Sequence, residues 1–244
     1  MALMCALCKV QQCEKAPGSQ RIPTYCPMDQ AGELYRGILG ESQKQYFDEG
    51  QDRQLALASA RTEAAGYLRW PRVQEVMEFA RRIGATHLGI ASCIGLIEEA
   101  RILQKLLESN GFEVSSVCCK VGSISKLEFG LTPEETLSPN GGFDPLCNPI
   151  GQAKLLNAAG TQLNVLVGLC VGHDSLFLKY TEAPATVLVA KDRVTGHNPV
   201  AALYTMHSYY DRLQGDRKTK RRNEPRRASC QEQGQQPGQL DQPG

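Results

Sequence analysis

The sequence predicts an α/β fold: an open, mostly parallel sheet in a three-layer arrangement, preceded by a cysteine-rich knuckle and a helical segment. Two observations carry that expectation. Beyond Gly84, short strand-like runs alternate with longer runs at helical spacing, which calls for crossover connections and a sheet covered on both faces. A chain of 244 residues, 41% of them hydrophobic, can also bury one substantial core without disulfides to close it.

The elements follow in order. Residues 1–30 carry Cys5, Cys8, Cys13 and Cys26 among polar residues and prolines, with no apolar periodicity. From about Gly32 to Leu68 two helices are expected, placing Leu34, Ile38 and Leu39, then Leu55 and Ala58, against the main domain. Pro71 opens a further helix with Val73, Val76, Met77 and Ala80 on one stripe, and Gly84 closes it. Strands are predicted at His87 to Ala91, Phe112 to Val117, Leu163 to Val167 and Thr186 to Ala190. Helices are predicted at Leu96 to Leu107, Pro149 to Ala159, just after Gly172, and Pro199 to Leu213. The chain thus divides into a knuckle (1–30), an α/β domain with N-terminal helices (31–213) and a disordered tail (214–244). The tail holds seven Lys or Arg and almost nothing apolar.

Composition narrows the function. A net charge of +1 leaves no broad electrostatic grip on nucleic acid. The first residues lack the charged leader and apolar run of a secretory signal, and no stretch reaches the roughly 20 apolar residues of a membrane span. A cytoplasmic protein is expected. Ten cysteines in that reducing compartment point to metal or redox chemistry before a disulfide framework.

The first cluster, Cys5-x2-Cys8-x4-Cys13-x12-Cys26, supplies four thiols within 22 residues. Tetrahedral zinc or an iron–sulfur cluster fits that donor set, and ligation would supply the free energy that a coreless segment lacks. A disulfide-exchange pair at Cys5 and Cys8 is the plainer alternative.

The second set lies at strand ends, where open parallel sheets bind ligands. Cys93 follows the first strand, Cys118 and Cys119 end the second, Cys170 follows the third, and Cys147 precedes the helix opened by Asn148-Pro149. Two turns echo each other, Cys93-Ile94-Gly95 and Cys170-Val171-Gly172, with glycine two residues after the thiol. Convergence of these loops would make one site, whereas free cysteines are also common as small apolar core residues. Cys118 and Cys119 point to opposite sides of an extended chain, so one of them is a ligand at most. His173 and His197 follow the third and fourth strands and are candidates for ligation or proton transfer. The long loop from Lys120 to Leu146 has the length of a lid.

The residues Cys5-Ala6-Leu7-Cys8, Gly89-Ile90-Ala91-Ser92-Cys93, Cys119-Lys120, Cys147-Asn148-Pro149, Gly168-Leu169-Cys170-Val171-Gly172-His173-Asp174, Lys191-Asp192-Arg193-Val194 and Gly196-His197-Asn198-Pro199 resemble the uncharacterised cysteine-rich metal-binding proteins of bacteria and archaea, classed as a domain of unknown function. The resemblance implies metal binding by the cysteines and selects Cys119 over Cys118. It implies no reaction.

The leading expectation is an iron–sulfur or zinc protein with a redox or electron-transfer role. Its metal ligands are Cys5, Cys8, Cys13 and Cys26 in the knuckle, and Cys93, Cys119, Cys147 and Cys170 at the strand ends. Gly95, Gly172, His173 and His197 complete the cofactor site, and a redox partner or a small-molecule substrate is the expected counterpart. Two alternatives differ in class. Gly168-Leu169-Cys170-Val171-Gly172 fits a nucleophile elbow with cysteine in place of serine, and Asp192 and His197 follow in hydrolase order. A non-catalytic scaffold with structural metal sites is the other.

Overall fold

The computed structural model describes residues 3–16, 18, 22–28, 33–138 and 142–215. The tail expected beyond 214 therefore falls almost wholly outside the described residues. Seven α-helices and four strands are present among them: α1 (Glu33–Phe47), α2 (Gln51–Gly66), α3 (Arg72–Arg82), β1 (His87–Ser92), α4 (Ile97–Ser109), β2 (Glu113–Cys118), α5 (Pro149–Ala158), β3 (Leu163–Val167), α6 (His173–Tyr180), β4 (Ala185–Val189) and α7 (Val200–Tyr204).

The four strands pair in the order β2-β1-β3-β4, all parallel. Side-chain alternation along β1 and β3 divides the core in two. Leu88 and Ile90 of β1 with Leu163, Val165 and Val167 of β3 pack against Val76, Met77 and Ala80 of α3 and Ala100, Leu103 and Leu107 of α4. Ala91 and Leu166 turn to the other face, against Ala153 and Leu156 of α5 and Phe177 of α6. Helix, sheet and helix make the three layers.

From β1 the chain moves outward to β2 through α4, then returns over the opposite face through α5 to reach β3 on the other side of β1. The direction of winding therefore reverses between β1 and β3, and the crevice beyond their carboxyl ends is where such sheets take ligands. Two details fix this centre. Gly89 lies opposite Asn164, whose Oδ1 would stand 1.9 Å from a Cβ on Gly89. The amide of Asn164, fully buried, bonds to Thr161 Oγ1 and Thr181 Oγ1 at 2.8 Å each.

Two expectations need correcting. The helix predicted from Pro199 to Leu213 stops at Tyr204, and after turns only a short 3-10 segment, Asp211–Gln214, resumes. Thr205 and Ser208 send their hydroxyls back to Ala201 O and Thr205 O, and α7 buries no residue, so tertiary packing does not sustain it. Of the two N-terminal helices, α2 buries Ala58, Thr62 and Gly66 and packs on α3, whereas α1 buries nothing and lies along α2.

Candidate metal centre

At the carboxyl edge of the sheet the strand ends stay tied to one another. Cys93 N donates to Val167 O at 3.0 Å, and Cys119 N donates to Ser92 O at 2.8 Å, so the residue after β1 and the residue after β2 are held beside the end of the central strands. Asn148 N donates to Cys119 O at 2.7 Å, bringing the start of α5 to the same place. The Asn148 side chain then caps α5 through Gly151 N at 2.8 Å, with Pro149 at the first helical position. Cys147 is thereby set next to Cys119, with Sγ atoms 3.8 Å apart.

Cys119 is the centre of the group. It is 1% exposed, stands in hydrogen-bond contact with both Cys93 and Cys147, and accepts from Ile94 N at 3.3 Å. Contact with the Cys119 thiol is the first reason that Cys93 and Cys147 are each drawn down to about 5. At Cys93 the Gly95 N–H and then the charge of Lys191 add to this, and at Cys147 the charges of Lys120 and His173 do. The same two contacts push Cys119 up, keeping the proton on the middle sulfur. Cys118, by contrast, packs half-buried against the α5–α6 face and is not part of the triad.

Cys170 approaches from the end of β3 with a different partner. Its sulfur accepts from the Arg193 guanidinium at 3.1 Å, which raises Arg193 above its ordinary range, and Arg193 also feels the charges of Cys93 and Cys147. The turn is shaped by Gly168, at φ +66°, where a Cβ would meet Leu96 Cδ1 at 1.9 Å, and by Gly172, at φ +84°. The echo between the two Cys-x-Gly turns ends there. Gly95 has no positive φ and leaves room for Lys191 Nζ, 3.3 Å from where its Cβ would be.

The histidines separate. His173 opens α6, donates its N–H to Cys170 O at 2.9 Å and acts electrostatically on Cys147. His197 Nδ1 accepts from Asp192 N at 3.1 Å, while the backbone N–H of His197 donates to Asp192 O at 2.8 Å, so ring nitrogen Nδ1 is engaged in closing its own loop. Asp192 is held below the usual carboxylate range by Thr195 and the N–H of Val194. A nucleophile elbow needs a strained nucleophile with a base in reach, but Cys170 is not among the positive-φ residues and bonds to an arginine, which cannot take its proton.

Four functional neighbours went unassigned from sequence. Lys191 and Arg193 follow β4, and Lys120 follows Cys119; their place after strands was the available signal. Gln152 is fully buried in α5, its Nε2 donating to Ser92 O and Val117 O at 3.1 and 2.7 Å, directly under the thiols. Its Oε1 is buried with no hydrogen-bond partner, the kind of orphan that a nearby ligand or donor would satisfy.

The N-terminal thiols are arranged differently. Cys8 is held below the ordinary thiol range by the N–H groups of Gln11, at 3.5 Å, and Val10, and by the Tyr25 hydroxyl. Tyr25 is pushed up by desolvation and by the Cys8 thiol it bonds, with smaller electrostatic effects of Cys26 and Cys5. Cys13 is exposed. Among the described residues no three Cys, His, Asp or Glu side chains are already set in the geometry of a metal-ion site, and no helix is long and apolar enough to cross a membrane. A cavity of about 770 Å³ between α2, α3 and the starts of β3 and β4, lined by Leu55, Ser59, Arg72, Val76, Phe79 and Ala185 among others, contains none of the thiols.

Residues 30–188, which include the strand-end triad and Cys170, match the family described as "Protein of unknown function (DUF1847)". The chain belongs to that family. It is also similar to "Uncharacterized protein MJ0455" of Methanocaldococcus jannaschii, at 42% identity over 191 residues, covering 78% of this chain and 94% of the relative. Among solved structures, the chain overlaps part of "Dph2 from Pyrococcus horikoshii" with a TM-score of 0.32 and 17% identity, over 58% of this chain and 32% of that one. This chain spans about a third of that structure, a likeness too distant to bear on the site.

Proposed function

We propose that the protein carries a thiolate-held metal centre at the carboxyl edge of its sheet, bound by Cys93, Cys119 and Cys147 with Cys170 on the fourth side, and that it works in redox or electron-transfer chemistry. The observation that carries this reading is the triad itself. Three sulfurs delivered by three separate segments meet at Cys119, which contacts both of the others, and lysines stand beside Cys93 and Cys147. A cysteine that merely fills core space needs neither feature.

The donor set fits soft metals: zinc, or iron in a cluster, and not a hard cation. The 3.8 Å between the Cys119 and Cys147 sulfurs matches ligands that share a single zinc, and an iron–sulfur cluster would require the same thiols to spread. A cluster, when bound, would supply one-electron redox chemistry. The chain's own residues would hold its thiolates, balance their charge through Lys120, Lys191 and Arg193, and keep its inner side dry over Leu169 and Phe177. The knuckle is proposed as a second site, structural in role, drawing on Cys5, Cys8, Cys13 and Cys26.

Anaerobic purification followed by iron, sulfide and zinc analysis and an absorption spectrum tests the reading. Iron and sulfide that fall in C93S, C119S and C147S variants would support it. Metal content unchanged in all three, in chains that remain folded by circular dichroism, would sink it.

A further inference from the structure

We propose that Cys147 and Cys119 also form a dithiol–disulfide couple that exchanges with small-molecule disulfides, an accessible thiol backed by a buried one. Their sulfurs are 3.8 Å apart, and the hydrogen bond from Asn148 N to Cys119 O at 2.7 Å holds the two backbones side by side. A disulfide needs that proximity of main chains. Accessibility divides the roles: Cys147 is half-buried, whereas Cys119 is 1% exposed and beyond the reach of a bulky reagent.

The exchange runs in two displacements with oxidised glutathione as the oxidant. The Cys147 thiolate attacks one glutathione sulfur, forming a mixed disulfide and expelling the first glutathione thiolate. Cys119 gives up its proton and attacks the Cys147 sulfur, breaking the mixed disulfide and expelling the second. Two cysteine thiols are oxidised by two electrons, and two molecules of reduced glutathione carry away the electrons and protons.

The consequence for the metal centre rests on the function proposed above. The new bond would take two of the four thiols from the site, and metal and disulfide would exclude each other. The oxidation state of the pair would then decide whether the site can load.

The test uses the full chain, stripped of metal and reduced, then exposed to oxidised glutathione, quenched in acid, alkylated and mapped by mass. Wild-type chain should lose two alkylatable thiols to a Cys119–Cys147 bond that reduced dithiothreitol reverses. C119S should instead stop with one glutathione attached to Cys147. Because Cys119 is buried, C119A is run beside it and circular dichroism checks both. A stable glutathione adduct on Cys147 of the wild-type chain, or a bond between Cys93 and Cys119, would overturn the proposal. A chain that forms the bond but never holds metal defeats only the metal reading, and one that holds metal but forms no bond defeats only the couple.

Discussion

The two thiol sets solve the same problem from opposite directions. Cys5 and Cys8 are near neighbours in sequence and, with Cys26, act electrostatically on Tyr25, in a segment of short 3-10 turns where Gln12 is the one buried residue of those turns. Cys93, Cys119 and Cys147 come from positions up to 54 residues apart and meet because β1, β2 and the start of α5 are locked together by main-chain hydrogen bonds. The second set has its shape from the sheet, whereas the first, on the proposed reading, would take its shape from a ligand. Coordination at the second would cost little to organise, since the backbone beneath it is already fixed.

The sharpest way to break that contrast is to remove metal. A strong chelator should raise protease cleavage within residues 3–28 by an order of magnitude or more, as expected when binding energy is folding energy. The 33–215 region should stay folded, its melting temperature falling only by what metal bound at the strand ends contributed. Equal protection of the segment with and without chelator, and in C8S, would erase the distinction.

Next in size is damage to the scaffold of the second set. Gly168→Ala places a Cβ into Leu96 at a left-handed position, and should cost about 3 kcal/mol in denaturant unfolding through strain and overpacking. The knuckle's response to chelator should be unchanged. A loss under about 0.5 kcal/mol would mean that the turn after β3 relaxes freely.

Asn148→Ala should cost about 1 kcal/mol by removing the α5 cap, and should loosen Cys147 while leaving Cys93 in place. Iodoacetamide labelling resolved by peptide would show it as faster labelling of Cys147 alone.

The smallest change is expected from pH. In metal-free chain, Cys147 is held down to about 5 by Cys119 and by Lys120 and His173, so it is a thiolate above that value and protonates only as pH falls through it. Its labelling rate should stay nearly flat from about pH 6 to about pH 9, where an ordinary thiol climbs steadily. In C119A the inflection should move upward. A wild-type inflection in the ordinary thiol range would show that the triad contacts are absent in solution.

The strands were legible because Leu163 to Val167 and His87 to Ala91 are short, apolar and bounded by turn residues, and because crossover chirality leaves few ways to arrange them. The placing of cysteines after strands was legible for the same reason. Three things were not. Gln152 reads as an ordinary polar position in a helix until α5 is seen to cross beneath the thiols. Lys191 and Arg193 belong to a strand end whose distance from Cys93 and Cys170 depends on sheet order, which local pattern does not specify. The segment after Tyr204 carries helix-compatible residues, but no packed face stands behind it, and periodicity alone cannot register that.

The excursion from Cys119 to Asn148 is closed at its base by hydrogen bonds from Asn148 N to Cys119 O and from Asn148 Nδ2 to Val121 O, and it is braced on itself by Lys126 and Asp144 at 2.7 Å and by the bridge between Ser125 and Pro145. Those braces close the stem below the distal part. Because the entropy of closing a loop grows only with the logarithm of its length, the distal part can lengthen, shorten or change composition over evolutionary time without moving either sulfur. The fold thus offers a graft point beside its most reactive atoms, where a relative could acquire a new specificity while inheriting the same chemistry.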